Sequence, residues 1–98
     1  MKNTESKIEN WANERGILVY ENRFVQLAKV MEEIGELAKA MIENDMGNII
    51  DSLGDANITL TILSRQMKLS LSECTEIAYN EIKDRKGKTE NGSFIKDK

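Results

Sequence analysis

Asp51 and Asp55 are the only charged residues between Met46 and Ser64, a stretch otherwise made of apolar and small polar side chains. Two carboxylates four residues apart stand one turn from each other on a helix, where mutual repulsion and loss of solvent both oppose ionisation. Something positive should stand beside them. A second acidic group, Glu32, Glu33 and Glu36, falls within a sector of roughly 100° when residues are placed about 100° apart around a helix. Hard oxygen ligands of this kind suit Mg²⁺, or Mn²⁺ as a substitute, and through the ion a polyphosphate. The plainer reading is a solvated, salt-bridged surface, since Lys29, Lys39 and Glu43 fall in or near the same sector. Neutralisation by Lys29, Lys39 or Lys83, or an aspartate kept protonated at the edge of a bundle, would also serve. Taken together the two acidic groups favour one shared divalent ion, because unpaired buried charge is costly.

The rest of the chain narrows the chemistry. There is no histidine and one cysteine in 98 residues, which removes a Ser-His-Asp triad, a Cys-His pair and the usual zinc sites built from Cys and His. Lys83, Arg85, Lys86 and Lys88 crowd the end of the last expected helix. Such cations would neutralise phosphates beyond the reach of a metal, although lysine and arginine also favour helix C-termini because they oppose the dipole. The balance of 14 basic against 17 acidic residues gives no reason to expect direct nucleic-acid binding.

These residues must be carried on helices. Proline is absent, apolar residues recur at helical spacing, and no segment alternates as a strand would. The expected fold is all-α, a four-helix bundle in a single domain over residues 1–88, followed by a polar tail over 89–98 with Phe94 and Ile95 as its apolar exceptions. The first helix is expected from about Thr4 to Arg15, with Ile8, Trp11 and Ala12 on one face and Gly16 as its stop. The second is expected from near Asn22 to Asn44, burying a stripe of Phe24, Leu27, Met31, Ile34, Ala38 and Met41. The third spans roughly Met46 to Met67 and is apolar around most of its circumference, so it should be covered by its own chain or by a partner. Ser70 followed by Glu73 has the form of a capping box that opens a fourth helix ending near Lys86.

Glu32-Glu33-Ile34-Gly35-Glu36-Leu37 followed by Asp51-Ser52-Leu53-Gly54-Asp55 resembles the EExxE and ExxD motifs of the MazG-like nucleotide pyrophosphohydrolases. Trp11, Gly16-Ile17, the run Tyr79 to Lys88 and the closing Gly92-Ser93-Phe94-Ile95-Lys96 are similar to the short single-domain branch found in phages and bacteria. The resemblance implies an all-α subunit oligomerising through its long helices as a homodimer or homotetramer. It implies Mg²⁺ on the carboxylates and cleavage of a nucleoside triphosphate between the α- and β-phosphates, releasing a monophosphate and pyrophosphate in nucleotide-pool sanitation or control. By the same match Glu33, Glu36 and Asp55 would be metal ligands, with Glu32 a ligand, a support or the group that orients the attacking water. Catalysis would then fall to Glu32 and Glu33. The first acid of ExxD falls on Ser52, which leaves Asp51, its neighbour, as the candidate fourth ligand. Asn80 and Lys83, spaced by three, match substrate contacts of the family, and Arg85 is a third candidate.

Against this enzyme stands a non-catalytic helical module that senses nucleotides or binds proteins, for which Ser52 is the best support. Trp11, spaced with Ile8 and Ala12, reads as core, with stacking on a base as the alternative. Asn57 reads as an interhelical hydrogen bond, the methionines as packing residues, and Cys74 as a small buried apolar group. A lone cysteine and a polar amino-terminal segment suit a cytoplasmic protein, and Met46 to Ser64 carries too many polar residues to cross a membrane.

Overall fold

A computed structural model describes residues 2–97; Met1 and Lys98 lie outside the described residues. Helix α1 (Lys2–Glu14) is followed by a short 3₁₀ turn (Tyr20–Asn22), α2 (Arg23–Ile42), α3 (Met46–Gln66) and α4 (Leu71–Ile82), and the chain closes with strands β1 (Gly87–Glu90) and β2 (Ser93–Lys96). The sequence dictates most of these ends. Asp45 caps α3 by accepting a hydrogen bond from the Asn48 N–H at 3.1 Å, and Ser70 caps α4 by accepting from the Glu73 N–H at 3.3 Å, each satisfying an otherwise orphaned donor of the first turn. Gly16 stops the first helix at a φ of +68°, a left-handed conformation that suits glycine.

The long antiparallel pair α2 and α3 forms the body of the protein. Small side chains on α3, namely Ser52, Ala56 and Thr59, face α2 and let the two backbones approach. The Gln26 amide bridges them by donating to the Thr59 carbonyl at 3.0 Å. The hydroxyls of α3 fold back onto their own helix. Thr59 donates to the Asp55 and Ala56 carbonyls, Thr61 to Asn57 and Ser64 to Thr61, so they lie in the seams without an unmet donor.

The face by which α2 meets α3 is Gln26, Val30, Glu33, Leu37 and Ala40, not the expected stripe of Phe24 to Met41. That stripe lies roughly 110° further round the helix and faces solvent: Phe24 is 68% exposed and Met31 67%. The cause is the shortage of helices. α1 and α4 pack on α3 and on each other, so among the described residues no helix packs closely on the apolar side of α2. Met41, Met67 and Cys74 are exposed for want of neighbours, as are Ile50 and Leu53 on α3. The radius of gyration, 16.0 Å, exceeds the roughly 13 Å of a compact domain of about 100 residues.

α4 is held by a single buried carboxylate on α1. Glu5, 2% exposed, accepts from the Leu71 N–H at 3.0 Å, the Ser72 N–H at 3.3 Å and the Ser72 hydroxyl at 2.6 Å. It also pairs with the Arg65 guanidinium at 3.2 Å. One acid thus ties α1, α3 and α4 together and places a negative charge at the positive end of the α4 dipole.

The tail is a β-hairpin and not an irregular segment. Gly87 pairs with Lys96 and Glu90 with Ser93 around Asn91-Gly92, both at positive φ (51° and 80°), the geometry that makes Asn-Gly a strong hairpin turn. A Cβ at Gly87 would run into the Ile95 carbonyl oxygen. Phe94 and Ile95 stay half-exposed on the hairpin and do not dock it to the body. α4 ends at Ile82, a turn earlier than expected.

Burial opposes ionisation of Glu5, but the Ser72, Ser70 and backbone donors and the Arg65 charge outweigh it and hold its carboxyl below the ordinary value of 4.5. The folded state therefore favours the ionised form. The clasp contributes in full above about pH 4.5, and its contribution is lost as pH falls through the depressed folded value. Glu5→Ala is expected to cost about 2–3 kcal/mol in urea unfolding at pH 7, with the difference from wild type shrinking as unfolding is repeated at successively lower pH.

Candidate active site

Glu33 sits in the seam between α2 and α3, and its Oε2 atom is buried without a hydrogen-bond partner. A carboxylate there cannot be left bare at low cost. Burial pushes its carboxyl above the ordinary value of 4.5, and the negative charges of Glu36, Asp55 and Glu32 push it further. Glu36, Asp55 and Glu32 are thus near enough to Glu33 for their charges to act on it. Asp55, part-buried, reaches the seam from the opposite helix.

Asp51 sits at the next turn. It is exposed and shares a cavity of about 270 Å³ with Glu36, Lys39, Glu43 and Ser52. It is not among the leading charges that act on Glu33, so it meets the cluster through Glu36. Ser52, where the family's motif carries an acid, is buried at 6% exposure on the same cavity. The serine thus occupies the inward position and Asp51 the neighbouring rim.

Among the described residues no ion pair joins Lys29, Lys39 or Lys83 to any of these acids; the ion pairs are Arg65 with Glu5, Arg65 with Glu9 and Lys88 with Glu90. The salt-bridged surface that mixed charge on α2 allowed has not formed. Nor, among the described residues, do three acids stand close enough as their side chains lie to hold an ion. The donor set still fits a hard divalent cation: all-oxygen, on two facing helices, with an orphaned inner atom and no ion pair among the described residues.

The candidate phosphate contacts are not brought to this cluster within the chain. Asn80 lies on the last turn of α4, Lys83 follows as its C-cap and Arg85 lies in the turn before β1, all exposed. α4 packs on α3 and α1, leaving an open groove of about 720 Å³ between α2 and α4, with Val30, Ile34, Leu60 and Tyr79 among its walls. Asn57 bonds within its own helix, where its amide oxygen receives the Thr61 hydroxyl at 3.3 Å, and among the described residues it makes no interhelical bond. Trp11 is not core either. It is 48% exposed, lies under the Arg15 guanidinium at 4.2 Å, and borders a cavity that Asp55 also lines. Ala12 is the residue of that face that α3 buries.

Residues 2–94 match the phosphoribosyl-ATP pyrophosphohydrolase family. The chain belongs to that family. That family is part of the MazG-like all-α pyrophosphatase superfamily. The chain is also 37% identical over 59 residues to an uncharacterized 18.2 kDa protein encoded in the rep-hol intergenic region of Haemophilus phage HP1 (strain HP1c1). That likeness covers 60% of this chain and 36% of the phage protein. No solved structure gives a significant match. No described helix of this chain is long and apolar enough to cross a membrane.

The raised value of Glu33 has a measurable sign. The fold disfavours its ionised form, so stability declines as pH climbs from 4.5 towards the folded value and stays lower above it. In chelator at pH 7.5, Glu33→Gln should melt higher than wild type by several degrees, on a scale of ~4–8 °C per kcal/mol for a chain this size. At pH 4 the two should melt together.

Proposed function

We infer that this pyrophosphohydrolase cleaves nucleoside triphosphates to a nucleoside monophosphate and pyrophosphate with Mg²⁺, or Mn²⁺ in its place. The observation that carries the reading is the buried, unpartnered Glu33 oxygen amid Glu32, Glu36 and Asp55, four acids with no ion pair among the described residues. Glu33, Glu36 and Asp55 would hold the ion, with Asp51 joining from the Glu36 side. When bound, the ion would draw charge from the phosphates and acidify a water. Glu32, exposed as Glu36 is, would orient that water or take its proton for in-line attack. Asn80, donating from its amide, and the cations Lys83 and Arg85, neutralising charge, would hold the departing pyrophosphate.

Those three residues stand at and just beyond the end of α4, which does not close over the acids of its own chain, and this fits a second copy supplying them. The exposed stripe of α2 supports an oligomer. The accessible surface is 7625 Å², against roughly 5,700 Å² for a monomer of this mass. The excess is of the size an obligate homodimer or homotetramer interface covers. The proposed setting is the cytoplasm, in nucleotide-pool sanitation or control.

A second substrate, phosphoribosyl-ATP, is favoured by the match over residues 2–94. The two are separated by offering both to one assay. Pyrophosphate release from ribo- and deoxynucleoside triphosphates should require Mg²⁺ or Mn²⁺ and stop with EDTA. Glu36→Gln and Asp55→Asn should each lower it by about a hundredfold or more. Release from phosphoribosyl-ATP alone would transfer the reading to that substrate. Absence of release from either, in a folded protein, would favour a non-catalytic nucleotide-sensing or protein-interaction module. Lys83→Ala is expected to raise KM about tenfold, the weight of one charge-assisted contact, with a smaller fall in kcat.

A further inference from the structure

The hairpin of β1 and β2 stands by itself. Every residue of both strands is exposed, and among the described residues neither strand packs closely on a helix. A lone two-stranded hairpin is marginally stable in water, and this one has both edges open. It also keeps an apolar side chain on each face, with Phe94 53% exposed and Ile95 48%. The register divides its residues. Thr89 pairs with Phe94 and Gly87 with Lys96, so these four share one face. The Phe94 ring lies over the bare Gly87 backbone, where a Cβ would meet it. On the other face Lys88 is engaged by Glu90 at 3.0 Å, whereas Lys96 makes no ion pair among the described residues. The first face therefore offers an apolar ring beside a cation.

The groove between α2 and α4 has the matching character. Its volume is about 720 Å³, with Val30, Ile34, Leu60 and Leu71 on its walls and Glu76 and Tyr79 along its α4 side. α4 contains Glu73, Glu76 and Glu81 and no lysine or arginine. Glu76 makes no ion pair among the described residues. The segment that follows, Lys83 to Lys96, carries Lys83, Arg85, Lys86, Lys88 and Lys96 against Asp84 and Glu90. An acid-rimmed apolar groove and a basic arm with an exposed phenyl ring are complementary in charge and in apolar surface. One chain holds both and keeps them apart, because the hairpin leaves the end of α4 and does not return to the body.

We propose that the hairpin is an exchange arm: the Phe94 face of each copy seats in the α2–α4 groove of a second copy, where the Lys96 ammonium meets Glu76 at the rim. The exchange is reciprocal. Each copy gives one arm and receives one, so a two-fold axis closes the assembly. The contact covers the Phe94 ring together with the Val30 and Ile34 wall, and it supplies the hairpin with the packed face that its own chain does not provide. It needs neither substrate nor metal, and so goes beyond the hydrolase reading and stands apart from it.

Disulfide trapping tests the exchange. In the full chain with Cys74→Ser, Thr75→Cys puts a thiol on the groove and Thr89→Cys puts one opposite Phe94 on the hairpin. The two single-thiol proteins, one of them tagged so that the masses differ, are mixed and oxidised. The expected result is a crosslinked product holding one chain of each kind, in excess over like-with-like products. In chains without added thiols, Phe94→Ala should weaken association about thirtyfold by sedimentation equilibrium, the effect of one interfacial anchor. Lys96→Glu and Glu76→Lys should each weaken it and together restore it, and this pair answers the question if the alanine variant loses its hairpin. A chain carrying both thiols that closes to an internal disulfide as a monomer would put the arm on its own groove and overturn the exchange. Dimers that give no mixed crosslink and form as tightly with Phe94→Ala and with either charge reversal would assign the interface to the exposed stripe of α2, and overturn it as well. A chain that stays monomeric at every concentration would also overturn it. None of these outcomes alters pyrophosphate release, which is measured separately.

Discussion

The arrangement of the two long helices turns on a carboxylate placed where a hydrophobic residue would pack better. Glu33 occupies the middle of the α2 face that meets α3, flanked by Val30, Leu37 and Ala40. Its inner oxygen is buried without a donor, and three neighbouring acids raise the cost of its charge. Exchange for an apolar residue would relieve both penalties at once. A position that keeps such an acid is one where local stability has been conceded, as is common where charge is arranged for chemistry rather than for folding.

The same constraint explains how the rest of the chain is disposed. For acids from α2 and α3 to face each other, the seam must run along the border between the acidic and apolar sides of α2, and the apolar stripe is then turned outward. α3 is left to receive α1 and α4 on its other side, using small residues and back-bonded hydroxyls where bulky side chains would hold the helices apart. The buried Glu5 clasp compensates for the thin contact of α4. Its three donors and Arg65 fasten the helix by its first turn, while the far end, with Asn80 and Lys83, projects free of the body. The apolar face of α2 is left exposed, with Phe24 and Met31 among its residues.

The acidic motifs were legible before any coordinates because charge is rare in the segment that carries Asp51 and Asp55, and helical geometry places Glu32, Glu33 and Glu36 on one sector. The hairpin was equally legible in Asn91-Gly92, between short segments that can pair, but it was obscured by the polarity of the tail. Glu5 carries no such signal. An acid in the first turns of an exposed, highly charged helix is ordinary, and only the approach of Leu71 and Ser72, more than sixty residues away, makes it structural.

By itself the sequence determined the helices, their caps, the candidate acids and the hard-cation chemistry those acids suit, since these follow from local periodicity, hydrogen-bonding capacity and the absence of histidine. Which side of α2 would meet α3 was decided only in three dimensions. Periodicity identifies an apolar stripe, yet it says nothing of whether a neighbour from the same chain can reach it. Here Ser52, Ala56 and Thr59 allow a closer seam along a different face. That choice set Glu33 inside, left Phe24 and Met31 outside, and brought Trp11 to the cavity beside Asp55 instead of into the core.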